Sequence, residues 1–246
     1  MPKRFDILKV RDKADSYYTR MDRIFDLPMR LIVCGASQRT GKTTIILNLL
    51  LRNKYYRGKF QGEGIYIVSN NKMGNKLKVL SEELDVPEEN TFQYDEELID
   101  ELYDVIEEAA VARVEAKKKP VPSLMIFDDC AYSSNLKNKT AGVVSRIAMN
   151  GRHINLSSIF TTQKYSLLST GLRNNITGAI LFGTSTKELE LIEQDLNFLE
   201  SKKQFMSMFR RVTKTKRSFL VVNFSNDDLE ERYLDSNFEP IVLDAK

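Results

Sequence analysis

Residues 35–44 read "GASQRTGKTT". The stretch closes "RLIVCG" (30–35), a β-branched run ending in glycine that reads as a buried strand. It opens "TTIILNLLLRN" (43–53), apolar all round, which reads as a helix. Strand, glycine-containing loop and helix in that order form the setting in which a backbone loop cradles phosphate. Gly35 and Gly41 enclose five residues, one more than the usual spacing, whereas Ala36 and Gly41 enclose four. Ala36 therefore stands where the first glycine of the pattern stands.

Each position contributes differently. Ala36, Ser37, Gln38, Arg39, Thr40, Gly41, Lys42, Thr43 and Thr44 are expected to surround the phosphates of a nucleotide. The N–H groups from Ser37 to Thr43 would wrap the β-phosphate, helped by the N-terminus of the following helix. Gly41 lets the backbone approach without a Cβ clash. Lys42 would reach the β- and γ-phosphates, and the Thr43 hydroxyl would bind Mg²⁺. Arg39 is unusual in such a loop and nothing in the pattern accounts for it.

Two further strand ends carry polar groups. "LMIFDD" (124–129) is four apolar residues followed by two carboxylates, the form of a Walker B strand. Asp128 would hold Mg²⁺ through a water, and Asp129 would activate or orient the attacking water. A glutamate is more usual at the second position, and aspartate is one methylene shorter, so the general base stays open. Gln163 closes "SSIFTTQ" (157–163), where it would sit between the acidic pair and the loop. It could sense the γ-phosphate or fix the water, or simply cap the strand.

Strand-like runs at 64–70, 122–130, 157–163 and 177–183 alternate with helical stretches at 76–84, 95–117 and 187–201. That alternation predicts one α/β domain with a mostly parallel central sheet flanked by helices. Within 95–117, Leu98, Leu102, Val105, Ile106 and Ala109 recur at helical spacing. Acidic residues 95–97 and lysines 117–119 complement the dipole of that helix. "SYYTRMDRIF" (16–25) suggests a short helix within a basic extension (1–29). "QFMSMFRR" (204–211) and "RSFLVVNF" (217–224) predict a C-terminal β-hairpin joined by a basic turn, completing a core of 30–225. The acidic tail, 226–246, is expected to pack loosely.

Composition narrows the field. Lysine and arginine number 37 against 34 acidic residues, a formal charge of +3, so only local clusters of charge can argue for a polyanion. Hydrophobic residues at 42% and charged residues at 29% are the balance of a globular protein. No run of about 18 apolar residues exists, and "MPKRFDILKV" lacks the core of a signal peptide, which points to the cytosol. Cys34 and Cys130 read as small buried hydrophobes. His153 is the single histidine, which excludes multi-histidine metal sites and argues against a histidine triad.

The order of phosphate loop, acidic strand, "MNGRHINLSSIFTTQ" (149–163) and "STGLRNNITGAILF" (169–182) resembles the FtsK–HerA superfamily of DNA-pumping ATPases. Members carry an arginine just before the strand ending in Thr-Gln, then a "G-[LI]-[RK]-x-N" segment. Within that superfamily the chain is most similar to genome-packaging ATPases of double-jelly-roll DNA viruses, virophages and tailless phages. The likeness spans residues 30–224; the Asp-Asp pair and the missing first glycine depart from it. It implies a RecA-like (ASCE) core, ATP and Mg²⁺ bound between subunits of a pentameric or hexameric ring, and a capsid or portal vertex protein as partner. It also implies action in the host cytoplasm, with association with the virion left open. An arginine supplied in trans would stabilise the transferring phosphoryl. Arg152 is the first candidate, Arg173 and Arg146 the alternatives, each also readable as a surface ion pair.

Double-stranded DNA would meet basic groups through phosphate contacts that ignore sequence. Lys137 and Lys139, just past the acidic strand, are the first candidates. Arg210 and Arg211, beside the basic turn, are the second, and a solvated turn is an equal reading. A GTPase switch would need "DxxG" and "NKxD", where "DDCA" and "NKMG" stand. A small-molecule kinase usually carries an arginine-rich lid and has no use for Gln163. A DNA-binding scaffold leaves Lys42, Asp128 and Asp129 unexplained. A cellular segregation or conjugation motor remains open, although such chains are generally longer.

Overall fold

The structure, a computed structural model, describes residues 13–22, 24–36, 40–70, 74–130, 142–226 and 228–242. The apolar runs become strands of one sheet: β1 (Arg30–Cys34), β2 (Ile65–Ser69), β3 (Thr91–Gln93), β4 (Ser123–Asp128), β5 (Leu156–Thr162), β6 (Gly178–Phe182), β7 (Phe219–Asn223) and β8 (Tyr233–Leu234). Their order is β3-β2-β4-β5-β1-β6-β7-β8, parallel from β3 to β6 and antiparallel beyond. All seven residues of β5 and all five of β6 are buried. Burial on both faces explains why these strands read as unbroken apolar runs.

Helices cover both faces. α1 (Lys42–Leu51) and α2 (Asn75–Glu83) share one face with Ile24, Phe25, Leu27 and Met29. The other face carries α3 (Glu96–Glu115), α4 (Val143–Asn150), α5 (Thr170–Arg173), α6 (Thr186–Leu196) and α7 (Lys202–Val212). The last helix, α8 (Leu229–Arg232), precedes β8.

Four expectations need correction. Residues 204–211 are not a strand but part of α7. Phe205, Met208 and Phe209 fall at i, i+3 and i+4 and are buried, and the Ser201 side chain caps the start. The C-terminal hairpin exists with other partners, β7 and β8, paired at Val221–Leu234 and Val222–Tyr233. The tail is consequently not loose, since Tyr233, Leu234 and Phe238 are buried. Within 16–25, the described residues form the end of a short 3₁₀ turn and a bridge from Thr19 to Leu27 rather than a helix. In α3 the core face is Ile99, Tyr103, Ile106 and Ala110, while Leu98 and Val105 are 44% and 61% exposed. The helix thus has two apolar stripes, and periodicity alone could not say which one the sheet would take.

Candidate active site

The phosphate loop leaves β1 and ends at Gly41, whose φ of 110° suits glycine alone. Gly35 is needed for a different reason, since a Cβ there would stand 2.9 Å from the Phe182 side chain. Glycine at 35 thus lets the chain leave the sheet beside β6, while the exposed Ala36 opens the four-residue spacing. Ser37, Gln38 and Arg39 lie outside the described residues. Across them, the Thr40 hydroxyl donates to the Ala36 carbonyl at 3.0 Å.

Lys42, the first residue of α1, is buried and folds back over the loop. Its Nζ donates to the Gly35 carbonyl at 2.8 Å and to that of Ala36 at 3.4 Å, and lies 3.9 Å from Asp129 Oδ1. Thr43 is half-buried and Thr44 exposed. The Thr44 hydroxyl accepts from Lys76 Nζ at 2.6 Å. Lys76 puts a second ammonium near the loop; one of two lysines on α2, it carried no signal in the sequence.

Asp128 ends β4, and its Oδ1 accepts from the Thr161 hydroxyl at 2.9 Å. Burial lifts its pKa above the ordinary 3.8, and the neighbouring Asp129 charge adds to that, against the Thr161 hydrogen bond and Lys42. Asp129 then turns out of the strand at φ 51°, a conformation uncommon outside glycine. Its N–H donates to the Thr161 hydroxyl at 2.8 Å and its carbonyl accepts from Asn70 Nδ2 at 3.4 Å. Gln163 Nε2 donates to Asp129 Oδ2 at 3.1 Å, and Asp129 Oδ1 is buried with no hydrogen-bond partner among the described residues. Because β5 lies between β1 and β4, three adjacent strand ends bring Lys42, Gln163 and Asp129 together.

Thr161 and Asn70 escaped the sequence reading: a threonine inside a buried strand and an asparagine after one look like ordinary strand residues. Glu188, on the first turn of α6, also escaped. Its buried carboxylate accepts from the Ser166 N–H at 3.0 Å and the Ser166 hydroxyl at 2.6 Å. That clamp holds the segment immediately after Gln163. Cys34 and Cys130 are buried with thiol pKa values pushed up to about 12, chiefly by burial, as small hydrophobes would be.

Beside the loop runs a cleft of about 460 Å³ lined by Ala36, Gly183, Ser185, Thr186, Arg210 and Thr213. Arg211 turns to the Val242 carbonyl at 2.9 Å. Both arginines sit on α7, not beside a hairpin turn. Lys137 and Lys139 lie outside the described residues.

The three arginine candidates differ. Arg146 spans Asp100, Asp104 and Glu107 of α3 at 2.7–3.0 Å and stacks on Tyr103 at 4.3 Å. Arg173 pairs with Asp195 and lies over Tyr165 at 5.4 Å. Arg152 has no carboxylate partner among the described residues; its Nε donates to His153 at 3.2 Å. It lies at the opposite end of the sheet from the loop, where its charge joins burial in pushing the Arg30 pKa down to about 10.

The poxvirus A32 protein family matches residues 17–234. The chain belongs to that family. Its strand order and phosphate loop are those of the P-loop ATPase fold. The fold is shared with the genome-packaging NTPase B204 from Sulfolobus turreted icosahedral virus 2 in complex with sulfate. The two are 17% identical over 87% of this chain and 97% of that one, with a TM-score of 0.56. The same NTPase in complex with ATP-γS gives 17% identity over 87% and 98%, with a TM-score of 0.53. EssC (ATPases 2 and 3) from Geobacillus thermodenitrificans is 16% identical, with 80% of this chain aligned to 38% of EssC and a TM-score of 0.52. Among curated protein sequences, none matches this A32-family chain.

Proposed function

We propose that the chain is the motor subunit that drives double-stranded DNA into a viral capsid, hydrolysing ATP at the interfaces of a ring. The observation that carries this reading is the meeting of Lys42, Asp129 and Gln163 above three adjacent strands. A nucleoside fits the cleft beside Ala36, with its phosphates in the loop. Thr43 and Asp128 would hold Mg²⁺, and Asp129 Oδ1, buried without a hydrogen bond among the described residues, supports a site built for added positive charge. When bound, that ion neutralises charge on the β- and γ-phosphates.

The rest of the chemistry belongs to the side chains. Lys42 transfers its hydrogen bonds from the loop carbonyls to phosphate oxygens. Asp129 orients the attacking water and accepts its proton, and the Gln163 amide fixes the carboxylate in place. Glu188 holds the segment behind Gln163. Arg152, without a carboxylate of its own among the described residues, is the arginine offered to the neighbouring subunit's site. Lys137 and Lys139 grip DNA phosphates, and a capsid or portal vertex protein anchors the ring.

ATP hydrolysis with and without double-stranded DNA, beside Lys42→Ala, tests the motor. DNA-stimulated turnover that vanishes in the variant supports it; Lys42-dependent turnover indifferent to DNA defeats it. Mixing Arg152→Ala with Lys42→Ala subunits tests the trans arginine, since mixed sites regain turnover only if the arginine acts across the interface. For the DNA contacts, Lys137→Ala with Lys139→Ala should lower the slope of log K against log salt by about two. An unchanged slope removes both lysines from the interface.

A further inference from the structure

The helix layer on one face of the sheet is polarised. Its first member, α3, carries eight carboxylates against a single Arg113, a net charge of 1 − 8 = −7. At its other end, residues 202–217, α7 and the turn after it, carry seven basic residues and no acid, a net +7. α3 packs on α4, and α7 on α6 and β7, so the two lie at opposite ends of the layer. Most of these charged side chains are exposed. Arg146 takes three of the α3 carboxylates. In the basic segment Lys202 lies 3.9 Å from Glu190, both half exposed, and Arg211 reaches the Val242 carbonyl.

The second apolar stripe of α3 lies among those carboxylates. Leu98, Glu101, Val105, Glu108 and Ala112 fall on one exposed arc. The arc borders a cleft of about 440 Å³ lined by Val105, Ala109, Arg113, Val121 and Ile154. Exposed apolar groups rimmed by charge mark a contact surface. Opposite charge on a second surface of the same chain says what it contacts.

We propose that α3 of one copy docks on α7 and its basic turn in the next copy. This refines the ring reading and rests on it. Complementary surfaces at opposite ends of one layer suit a head-to-tail contact, which gives a ring where the rotation between copies closes. α7 also lines the cleft beside the phosphate loop through Arg210. The docked α3 therefore packs against the helix that borders the nucleotide.

Charge swapping tests the contact. Glu101→Lys with Glu108→Lys, and separately Lys203→Glu with Lys214→Glu, should each weaken self-association about tenfold or more in sedimentation. The chain carrying all four changes should recover it, which also shows that the variants fold. Glu101→Cys with Lys203→Cys should give a ladder of cross-linked oligomers under a short bis-maleimide, the native cysteines being buried. Self-association indifferent to the reversals overturns the interface and leaves the ring standing. A chain monomeric at every concentration with ATP and DNA present overturns both. DNA binding lost in Lys203→Glu/Lys214→Glu with assembly intact assigns the strip to DNA and overturns the proposal.

Discussion

At the N-terminal ends of β1 and β5 side-chain hydrogen bonds tie the sheet to the segments that lead into it; at the C-terminal end of β4 a buried carboxylate oxygen is left short of one. Asn155, at φ 58°, donates to the Pro120 carbonyl at 3.0 Å, and its own carbonyl accepts from the Ser123 N–H at 3.1 Å. The Met29 N–H finds the Ser157 hydroxyl and the Arg30 N–H the Thr177 hydroxyl. At the other end Asp129 Oδ1 is buried without a hydrogen bond among the described residues, and Asp128 is held in a site that disfavours its charge. Buried polar groups are ordinarily satisfied, so a carboxylate oxygen buried without a hydrogen bond, beside a second carboxylate whose charge is disfavoured, supports a site that a ligand completes. One end of the sheet holds the fold together; in the proposed function phosphate and cation finish the other.

Asp129→Asn puts the greatest strain on this contrast. If Asp129 accepts the proton of the attacking water, turnover should fall by about 10² to 10⁴. Folding should suffer little, because an asparagine oxygen can still accept from Gln163 and Lys42 keeps its hydrogen bonds to the Gly35 and Ala36 carbonyls. Phosphate release and the urea midpoint, measured on one preparation, check both halves. Activity retained would move the general base elsewhere; a large loss of stability would show that the deficit at Oδ1 was only apparent.

The same contrast explains what could be read from the chain before folding. The phosphate loop, the acidic strand and Gln163 were legible because each ends a dense apolar run, where a polar residue stands out. Thr161 and Asn70 were not, because their roles come from hydrogen bonds between strands far apart in sequence. The core face of α3 was hidden by its two apolar stripes. α7 was misread because its aromatic residues resemble strand residues, although Phe205, Met208 and Phe209 keep helical spacing. Local pattern marks the ends of buried strands; helix faces and partners across the sheet need the topology.

Asn155→Ala addresses the satisfied end. It orphans the Pro120 carbonyl and places alanine at a left-handed φ, together costing about 2 kcal/mol of stability. ATP affinity per folded molecule should not change, because the residue sits at the far end of β5 from Gln163. A lower urea midpoint with unaltered ATP affinity keeps the two ends separate, whereas a parallel loss of affinity would join them.

The smallest expected effect is a pH dependence at Asp128. Burial raises its pKa in the folded chain above the ordinary 3.8, so the folded state holds that proton more tightly than the unfolded state does. Its charge therefore opposes folding by a constant amount above the folded pKa. That penalty fades as pH falls from the folded value towards 3.8 and is gone below it. Asp128→Asn, which keeps an acceptor for the Thr161 hydroxyl, should be the more stable chain at pH 7 and lose its advantage on acidification through that window. Urea midpoints of both chains across the range measure it. An advantage independent of pH would mean that burial of the charge is not its source. Adding Mg²⁺ and ATP should then reverse the order at pH 7, since ligands that need the Asp128 charge stabilise only the wild type, by RT ln(1 + [L]/Kd).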